Sequence, residues 1–175
     1  AEQLDYVSML KECAFNLMTI VNDILDYAKL DSHNVVLNIQ EMNIRTTIES
    51  VNDIILSKIF NVEYTCEISN DVPKVVMMDP NRFKQVLINL LSNAIKFTEH
   101  GKISLNVYLD GENTLRIKLT DTGCGIEPEF HNRLFIPFQQ FESDITTKKY
   151  QGTGLGLVIS KNLVELMGGE IHLMN

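Results

Sequence analysis

Residues 79–98 read DPNRFKQVLINLLSNAIKFT, and this stretch sets how the rest of the chain is placed. Asp79 is an N-cap residue and Pro80 suits the first helical position, so a helix opens here. At 100° per residue, Phe83, Val86, Leu87, Leu90 and Ala94 fall within about 100° of one another, which makes them the core side. Arg82, Gln85, Asn89, Asn93 and Lys96 fall within about 80° of one another on another side. Amides form helices less well than Glu, Lys or Ala. A row of them points to a ligand-filled side, with an ordinary solvated face as the competing reading of the row taken alone. Amide oxygens hold Mg²⁺ directly or through water, and a lysine ammonium meets phosphate as a point charge.

Beyond this helix the apolar period changes to two. Ile103, Leu105, Val107 and Leu109 alternate with polar residues, as do Leu115, Ile117 and Leu119. With Asp110-Gly111 in the connection, they predict an antiparallel hairpin with one buried face. All nine glycines lie at Gly101 or later, so the tight loops belong to this half. Asp121-Thr122-Gly123-Cys124-Gly125-Ile126 ends the second strand. Its carboxylate sits on a rigid element and can accept from an exocyclic amine, and its glycines let backbone approach a flat ligand. A plain turn capped by Asp is the blander alternative. Residues 127–151 are polar and irregular, a length typical of a lid or binding loop. Gly152-Thr153-Gly154-Leu155-Gly156-Leu157 then runs into a helix at 155–167, and backbone N–H groups at such a start bind anions. The spacing is neither the dinucleotide fingerprint nor a P-loop. Gly168-Gly169 ends that helix, and Ile171–Met174 is expected to begin a strand.

Toward the N-terminus, Val62, Tyr64, Cys66 and Ile68 predict a strand, and Asn70-Asp71-Val72-Pro73 a turn. Ile44, Ile48, Val51, Ile55 and Ile59 predict a helix over 44–60, and Val36 to Met42 a short strand. Residues 4–29 read as one long helix. Val7, Leu10, Ala14, Leu17, Val21, Ile24 and Ala28 form a heptad seam. Cys13, Ile20 and Leu25 widen it toward a four-helix bundle whose other helices lie elsewhere. The alternative is a core helix packed on the domain that follows. The fold class expected is an α+β two-layer sandwich preceded by a long dimerisation helix.

Composition narrows the function. Of 175 residues, 15 are basic and 23 acidic, giving a net charge of −8. That argues against a nucleic-acid partner, which needs clustered Lys and Arg. The three cysteines are odd in number and far apart, so they form neither a disulfide framework nor a zinc site and fit a reducing compartment. No apolar run approaches the length of a membrane span, so no direct membrane contact is expected. The chain opens within a helix, which suggests a piece of something longer. The methionines read as gap-filling core, and Cys124 as a small packing residue rather than a reactive thiol.

Four motifs together resemble those of sensor histidine kinases, most closely the hybrid type. QVLINLLSNAIKFT at 85–98 resembles the N box, DTGCGI at 121–126 the first glycine box, FIPFQQ at 135–140 the phenylalanine box and GTGLGL at 152–157 the second glycine box. LDYAKLDS at 25–32 resembles the end of the second dimerisation helix. The resemblance implies a Bergerat-type ATP-binding fold over 34–175 and the second dimerisation helix at 1–33. It implies ATP and Mg²⁺ as ligands, with Asn93 on the metal and Asn89 supporting phosphates and metal-bound water. Lys96 would reach a phosphate, Phe97 would lie against the nucleoside, and Asp121 would accept from the adenine amino group. Gly123, Gly125 and Ile126 would line the base. Phe135 and Phe138 would anchor a lid over 135–151, and Gly152, Thr153, Gly154, Leu155 and Gly156 would wrap the phosphates. Lys148 and Lys149 are either solvated charges or γ-phosphate contacts. Gln151, where many relatives have Gly, is expected to be tolerated.

The implied activity is transfer of the ATP γ-phosphoryl group to a histidine on a dimerisation helix, for relay to an aspartate of a response regulator. The implied partners are a second copy, through the dimerisation helix, and the regulator's receiver domain. The domain side would be cytoplasmic, with the parent protein soluble or membrane-anchored. None of His33, His100, His131 and His172 has the acidic neighbour of the family's phosphoacceptor, so this chain is not expected to phosphorylate itself. The chain also stops where relatives continue into further strands. Related gyrase, chaperone and mismatch-repair ATPases carry a water-activating Glu where Asn89 stands, which disfavours hydrolysis. The competing function is a nucleotide-sensing or scaffold module that binds ATP without phosphotransfer.

Overall fold

The computed structural model describes residues 2–32, 34–111, 113–139 and 152–174. Its elements run α1 (Glu2–Asp31), β1 (Gln40–Asn43), α2 (Ile44–Leu56), β2 (Val62–Ile68), β3 (Val75–Met78), α3 (Pro80–Phe97), β4 (Gly101–Asp110), β5 (Thr114–Asp121), a 3-10 helix (Pro128–Arg133) and α4 (Gly156–Leu166). The sheet β2-β4-β5 is mixed: β4 runs parallel to β2 and antiparallel to β5. A separate antiparallel pair joins β1 to β3.

The alternation read from 103–109 is what buries the sheet. Ile103, Leu105 and Val107 turn inward against Ile44, Ile48, Val51 and Ile55 of α2 and Phe83, Leu87, Leu91 and Ala94 of α3. Helices therefore cover one face of the sheet, as the two-layer expectation requires. The cap at the start of α3 forms as expected. Asp79 Oδ1 accepts from the backbone N–H of Asn81 (3.0 Å) and Arg82 (3.1 Å), while Oδ2 accepts from that of Asn38 (2.9 Å). Asn43 caps α2 likewise, accepting from the N–H of Arg45 and Thr46.

A second, smaller core lies on the other side of α3. Val86 packs with Leu155, Ile159 and Leu163 around α4, and Tyr27, Leu30 and Leu90 close it. Here the core side of α3 departs from the expected set. Leu91 is fully buried, whereas Leu90 is half-buried beneath the second cluster. Two cores on one helix widen its apolar arc beyond a single stripe. Gly168 ends α4 with φ +80, its N–H donating to Glu165 O and the Gly169 N–H to Val164 O, the Schellman pattern expected of a glycine stop.

Other boundaries shift. The first strand is Gln40–Asn43 rather than 36–42, with Val36 90% exposed. The second helix stops at Leu56, short of 60. Strand β3 has no alternating signature in VVMM and exists because β1 pairs with it from Gln40↔Met78 to Asn43↔Val75. Residues 128–133 form a 3-10 helix within the stretch expected to be irregular. Residues 169–174 form no strand.

Helix α1 divides its faces. Along the heptad seam, Val7, Leu10, Leu17, Val21 and Ile24 are 46–69% exposed. The end of the helix nevertheless packs on α3 and α4 through Asp23, Asp26, Tyr27 and Leu30. Among the described residues the seam is exposed, while the last turns are docked. Among the described residues no helix is long and apolar enough to cross a membrane.

Candidate functional site

The C-terminal half of α3 meets both glycine loops. At its end, Phe97 O accepts from the Cys124 N–H (3.3 Å). A Cβ on Gly123 would lie 2.4 Å from that carbonyl, so only glycine lets the two backbones approach. Asp121 closes β5 opposite Ile103, and its Oδ1 accepts from the Gly123 N–H (2.9 Å). The carboxylate is fixed by a strand on one side and its own turn on the other, which leaves its second oxygen as a further acceptor. Ile126 beyond the turn is half-buried, and its carbonyl meets His131 Nε2 (3.0 Å). Cys124 is exposed and Gly125 takes φ +69.

One residue back, the Lys96 ammonium stacks over the Phe97 ring, 5.0 Å from its centroid. Burial holds its pKa below the ordinary lysine value. A Cβ on Gly152 would lie 3.1 Å from Lys96 Nζ, which sets the charge against the start of the phosphate-type loop. Asn89 faces the other end of that loop. Its Nδ2 donates to Gly156 O (3.4 Å) and Ser160 Oγ (3.5 Å). Asn93 lies half-buried one turn on, between Asn89 and Lys96. From Asn89 to Phe97 the helix rises about 12 Å, so acceptor, cation and amides are strung along one stretch of α3 and the loops beside it.

The loop itself is shaped by contacts as well as by glycine freedom. Gly154 has φ +69, and a Cβ there would lie 2.8 Å from Gln139 O and 3.0 Å from Phe138 C. Phe138 also has positive φ, at 62°, and its ring meets Tyr27 edge-on at 6.0 Å. Phe135 lies under the Lys161 ammonium, 5.3 Å from its centroid. Both phenylalanines of the expected lid base are thus seated against helices. The rest of that lid, including Lys148, Lys149 and Gln151, lies outside the described residues.

Some of the expected side chains are bound into the frame itself. Arg82 and Gln85, the first two members of the polar row, serve α1. Gln85 Nε2 donates to Asp26 Oδ2 (2.8 Å), and Arg82 lies 3.7 Å from Asp26 Oδ1. The Thr153 hydroxyl is committed to α1, donating to Asp23 Oδ2 (2.9 Å) while accepting from the Leu155 N–H (3.2 Å). The Leu155 side chain is wholly buried, so it has only its backbone to offer a ligand. Asp23 and Asp26 were not singled out in the sequence. Their signal was present: residues 23, 26, 27 and 30 share one helical face, distinct from the seam.

For a metal, the donor set is sparse. Among the described residues no three His, Cys, Asp or Glu gather to hold an ion. The Asn89 bonds use its nitrogen and leave its oxygen for a metal-bound water, and Asn93 adds a second amide. Magnesium is commonly held in this way, by one or two protein groups plus substrate phosphates and water.

The fold and this site define an ATP-binding domain, and comparison gives the family. Residues 78–175 match the family described as histidine kinase-, DNA gyrase B- and HSP90-like ATPase, and the chain belongs to it. The chain is 39% identical to hybrid signal transduction histidine kinase A of Dictyostelium discoideum over 98% of its own length and 8% of that protein. It superimposes on full-length ShkA in complex with AMPPNP with TM-score 0.80 and 31% identity, covering 96% of this chain and 35% of that one. It likewise matches histidine kinase ThkA in complex with the response regulator TrrA, with TM-score 0.70 and 31% identity, over 94% of this chain and 44% of that one. The chain thus corresponds to the catalytic ATP-binding region of histidine kinases and spans a minor part of these relatives.

Proposed function

We propose that this chain binds Mg·ATP along the α3 groove and presents its γ-phosphoryl group to a histidine on a dimerisation helix. The observation that carries the reading is the convergence on one helix face of Phe97 with Gly123, Lys96 with Gly152, and Asn89 with Gly156. In this reading Asp121 accepts from the adenine amino group, and Gly123, Gly125 and Ile126 line the base beside Phe97. Lys96 and the backbone of Gly152, Thr153, Gly154, Leu155 and Gly156 hold the phosphates, with Phe138 at the base of the lid. Asn93 and Asn89 hold Mg²⁺, directly and through water. The metal supplies neutralisation of phosphate charge, and the remaining catalysis is positioning.

Asn89 bears on the reaction class. An amide cannot take a proton from water, so the groove lacks a general base at the position where a hydrolase of this family carries Glu. Transfer to a protein side chain is thereby favoured over hydrolysis. The acceptor would come from a partner helix in a dimer, with residues 1–33 as part of the dimerisation unit and 34–175 as the catalytic domain. A response regulator would take the phosphoryl group onward. Two of the described histidines have partners: His131 bonds Ile126 O, and His172 pairs with Glu170. The chain alone is therefore expected not to label itself. A nucleotide-sensing module without transfer is the second reading, favoured by that same placement.

Calorimetric titration with AMPPNP, with and without Mg²⁺, tests the site. Metal-dependent binding that weakens in Asp121→Asn and loses its metal dependence in Asn93→Ala supports the assignment. Binding indifferent to both substitutions refutes it. Incubation with γ-labelled ATP and a separate dimerisation domain bearing its histidine then separates transfer from sensing: label on that domain supports a kinase, and none supports a sensor.

A further inference from the structure

The docked end of α1 carries a carboxylate into the phosphate loop. Asp23 Oδ2 accepts from the Thr153 hydroxyl at 2.9 Å, and Thr153 Oγ1 accepts from the Leu155 N–H at 3.2 Å. Leu155 immediately precedes the first turn of α4. The start of a helix favours negative charge and lends its N–H groups to anions. Asp23 is tied to that start through Thr153, whose hydroxyl oxygen holds the Leu155 N–H. The neighbouring contacts have a different role: Asp26 holds Gln85 and Arg82 of α3 and leaves the loop alone. Docking also crowds Asp23. Burial is the main influence raising its pKa above the usual carboxylate range, the Thr153 bond opposes that rise, and the charge of Asp26 adds to it.

We infer that Asp23 is an internal stand-in for a nucleotide phosphate, and that seating a triphosphate in the loop displaces it and loosens α1. The inference rests on the nucleotide reading given above. A phosphate that uses the Leu155 N–H takes that donor from Thr153 Oγ1 and competes with Asp23 for the Thr153 hydroxyl proton. The incoming phosphate also repels the carboxylate. Docking of α1 and full phosphate binding therefore compete, and by linkage each weakens the other to the same extent. Asp23 and Thr153 are positioning residues in this scheme. They set how tightly the triphosphate binds and carry its arrival to the helix whose seam lies exposed.

The test titrates the whole chain with Mg·AMPPNP and, separately, with adenosine, in wild type, Asp23→Ala and Asp23→Asn. Asp23→Ala should bind AMPPNP roughly three- to tenfold more tightly, the competition of one net hydrogen bond removed. Adenosine affinity should stay unchanged, because adenosine brings no phosphate. Asp23→Asn keeps an acceptor oxygen and should lie between wild type and alanine. In wild type, AMPPNP should also raise hydrogen exchange over residues 20–30. Equal AMPPNP affinity in wild type and Asp23→Ala, or weaker binding by the variant, overturns the competition. So does an equal gain for adenosine, which would report general loosening, or unchanged exchange in α1. Wild type that binds neither AMPPNP nor adenosine overturns the nucleotide reading itself, and this inference falls with it. Wild-type binding without dependence on Asp23 removes only the competition.

Discussion

Gly123→Ala gives the sharpest test of how the base side of the groove is built. The added methyl would lie 2.4 Å from Phe97 O and 2.9 Å from Asp121 Oδ1. These are roughly 1 Å and roughly 0.5 Å inside ordinary contact distance. Phe97 O belongs to the last turn of α3, so the loop must give way. Its retreat stretches the Cys124 N–H bond to Phe97 O and the Gly123 N–H bond to Asp121, at 3.3 and 2.9 Å. Two partly exposed bonds contribute about 1–3 kcal/mol together. Because the same retreat moves the Asp121 carboxylate, adenosine affinity should fall by roughly 5- to 150-fold. Gly111→Ala is the control. Gly111 also has positive φ, +76, but no atom lies within 4 Å of its Cβ, and it occupies the far end of the β4–β5 hairpin. It should lose about 1–2 kcal/mol of stability from backbone strain alone and bind adenosine as wild type does. Calorimetric titration and urea unfolding of both variants read the two quantities. Wild-type adenosine affinity in Gly123→Ala, or equal losses in the two variants, would refute the close-approach argument.

Three further substitutions probe the frame and the phosphate side. Asp79→Ala should lose about 2–3 kcal/mol in urea unfolding at neutral pH, because three backbone N–H groups lose their acceptor. Burial raises the Asp79 pKa, but the bonds from Asn38, Arg82 and Asn81 outweigh it and hold the carboxyl below its ordinary value. Its contribution is therefore full above the unfolded-state pKa and fades as pH drops through the folded one, so the gap between wild type and variant should narrow on acidification below the ordinary carboxylate range. Leu163→Ala, at a fully buried position in the second core, should cost about 2–5 kcal/mol by the same unfolding assay. Lys96→Ala should weaken AMPPNP roughly tenfold and adenosine far less, since the ammonium lies against Gly152 and meets the base side only through the Phe97 ring; titration of both ligands checks the split.

Where local chemistry determines local geometry, the sequence was readable. Asp79-Pro80 marks the start of α3 because cap and proline act on their own turn. The two glycine loops were legible because close approach requires glycine whatever surrounds it. Strand β3 was not legible, since VVMM owes its conformation to β1, which arrives from 35 residues earlier in the chain. Leu90 and Leu91 changed places because a wheel drawn for one core cannot show that α3 serves two. Arg82, Gln85 and Thr153 carried the right chemistry for a ligand, yet their partners are Asp23 and Asp26, more than 50 residues upstream. Residue type alone does not say whether a polar row faces a ligand or another helix.

The two cores flanking α3 make the groove asymmetric. Its base end is anchored to the larger core: Asp121 closes a strand paired with the buried β4, and Phe97 ends a helix packed on that sheet. Its phosphate end is anchored to the smaller core, where Leu155, Ile159 and Leu163 share their packing with Tyr27 and Leu30 of α1. Displacing α1 would strip apolar cover from α4, break the Asp23–Thr153 bond and free the Phe138 ring from Tyr27. None of these contacts involves Asp121, Gly123 or Phe97. In the proposed reading, motion of α1 therefore reaches the triphosphate and not the base. A signal arriving along that helix would then change how tightly the phosphates are held while the base contacts stay in place.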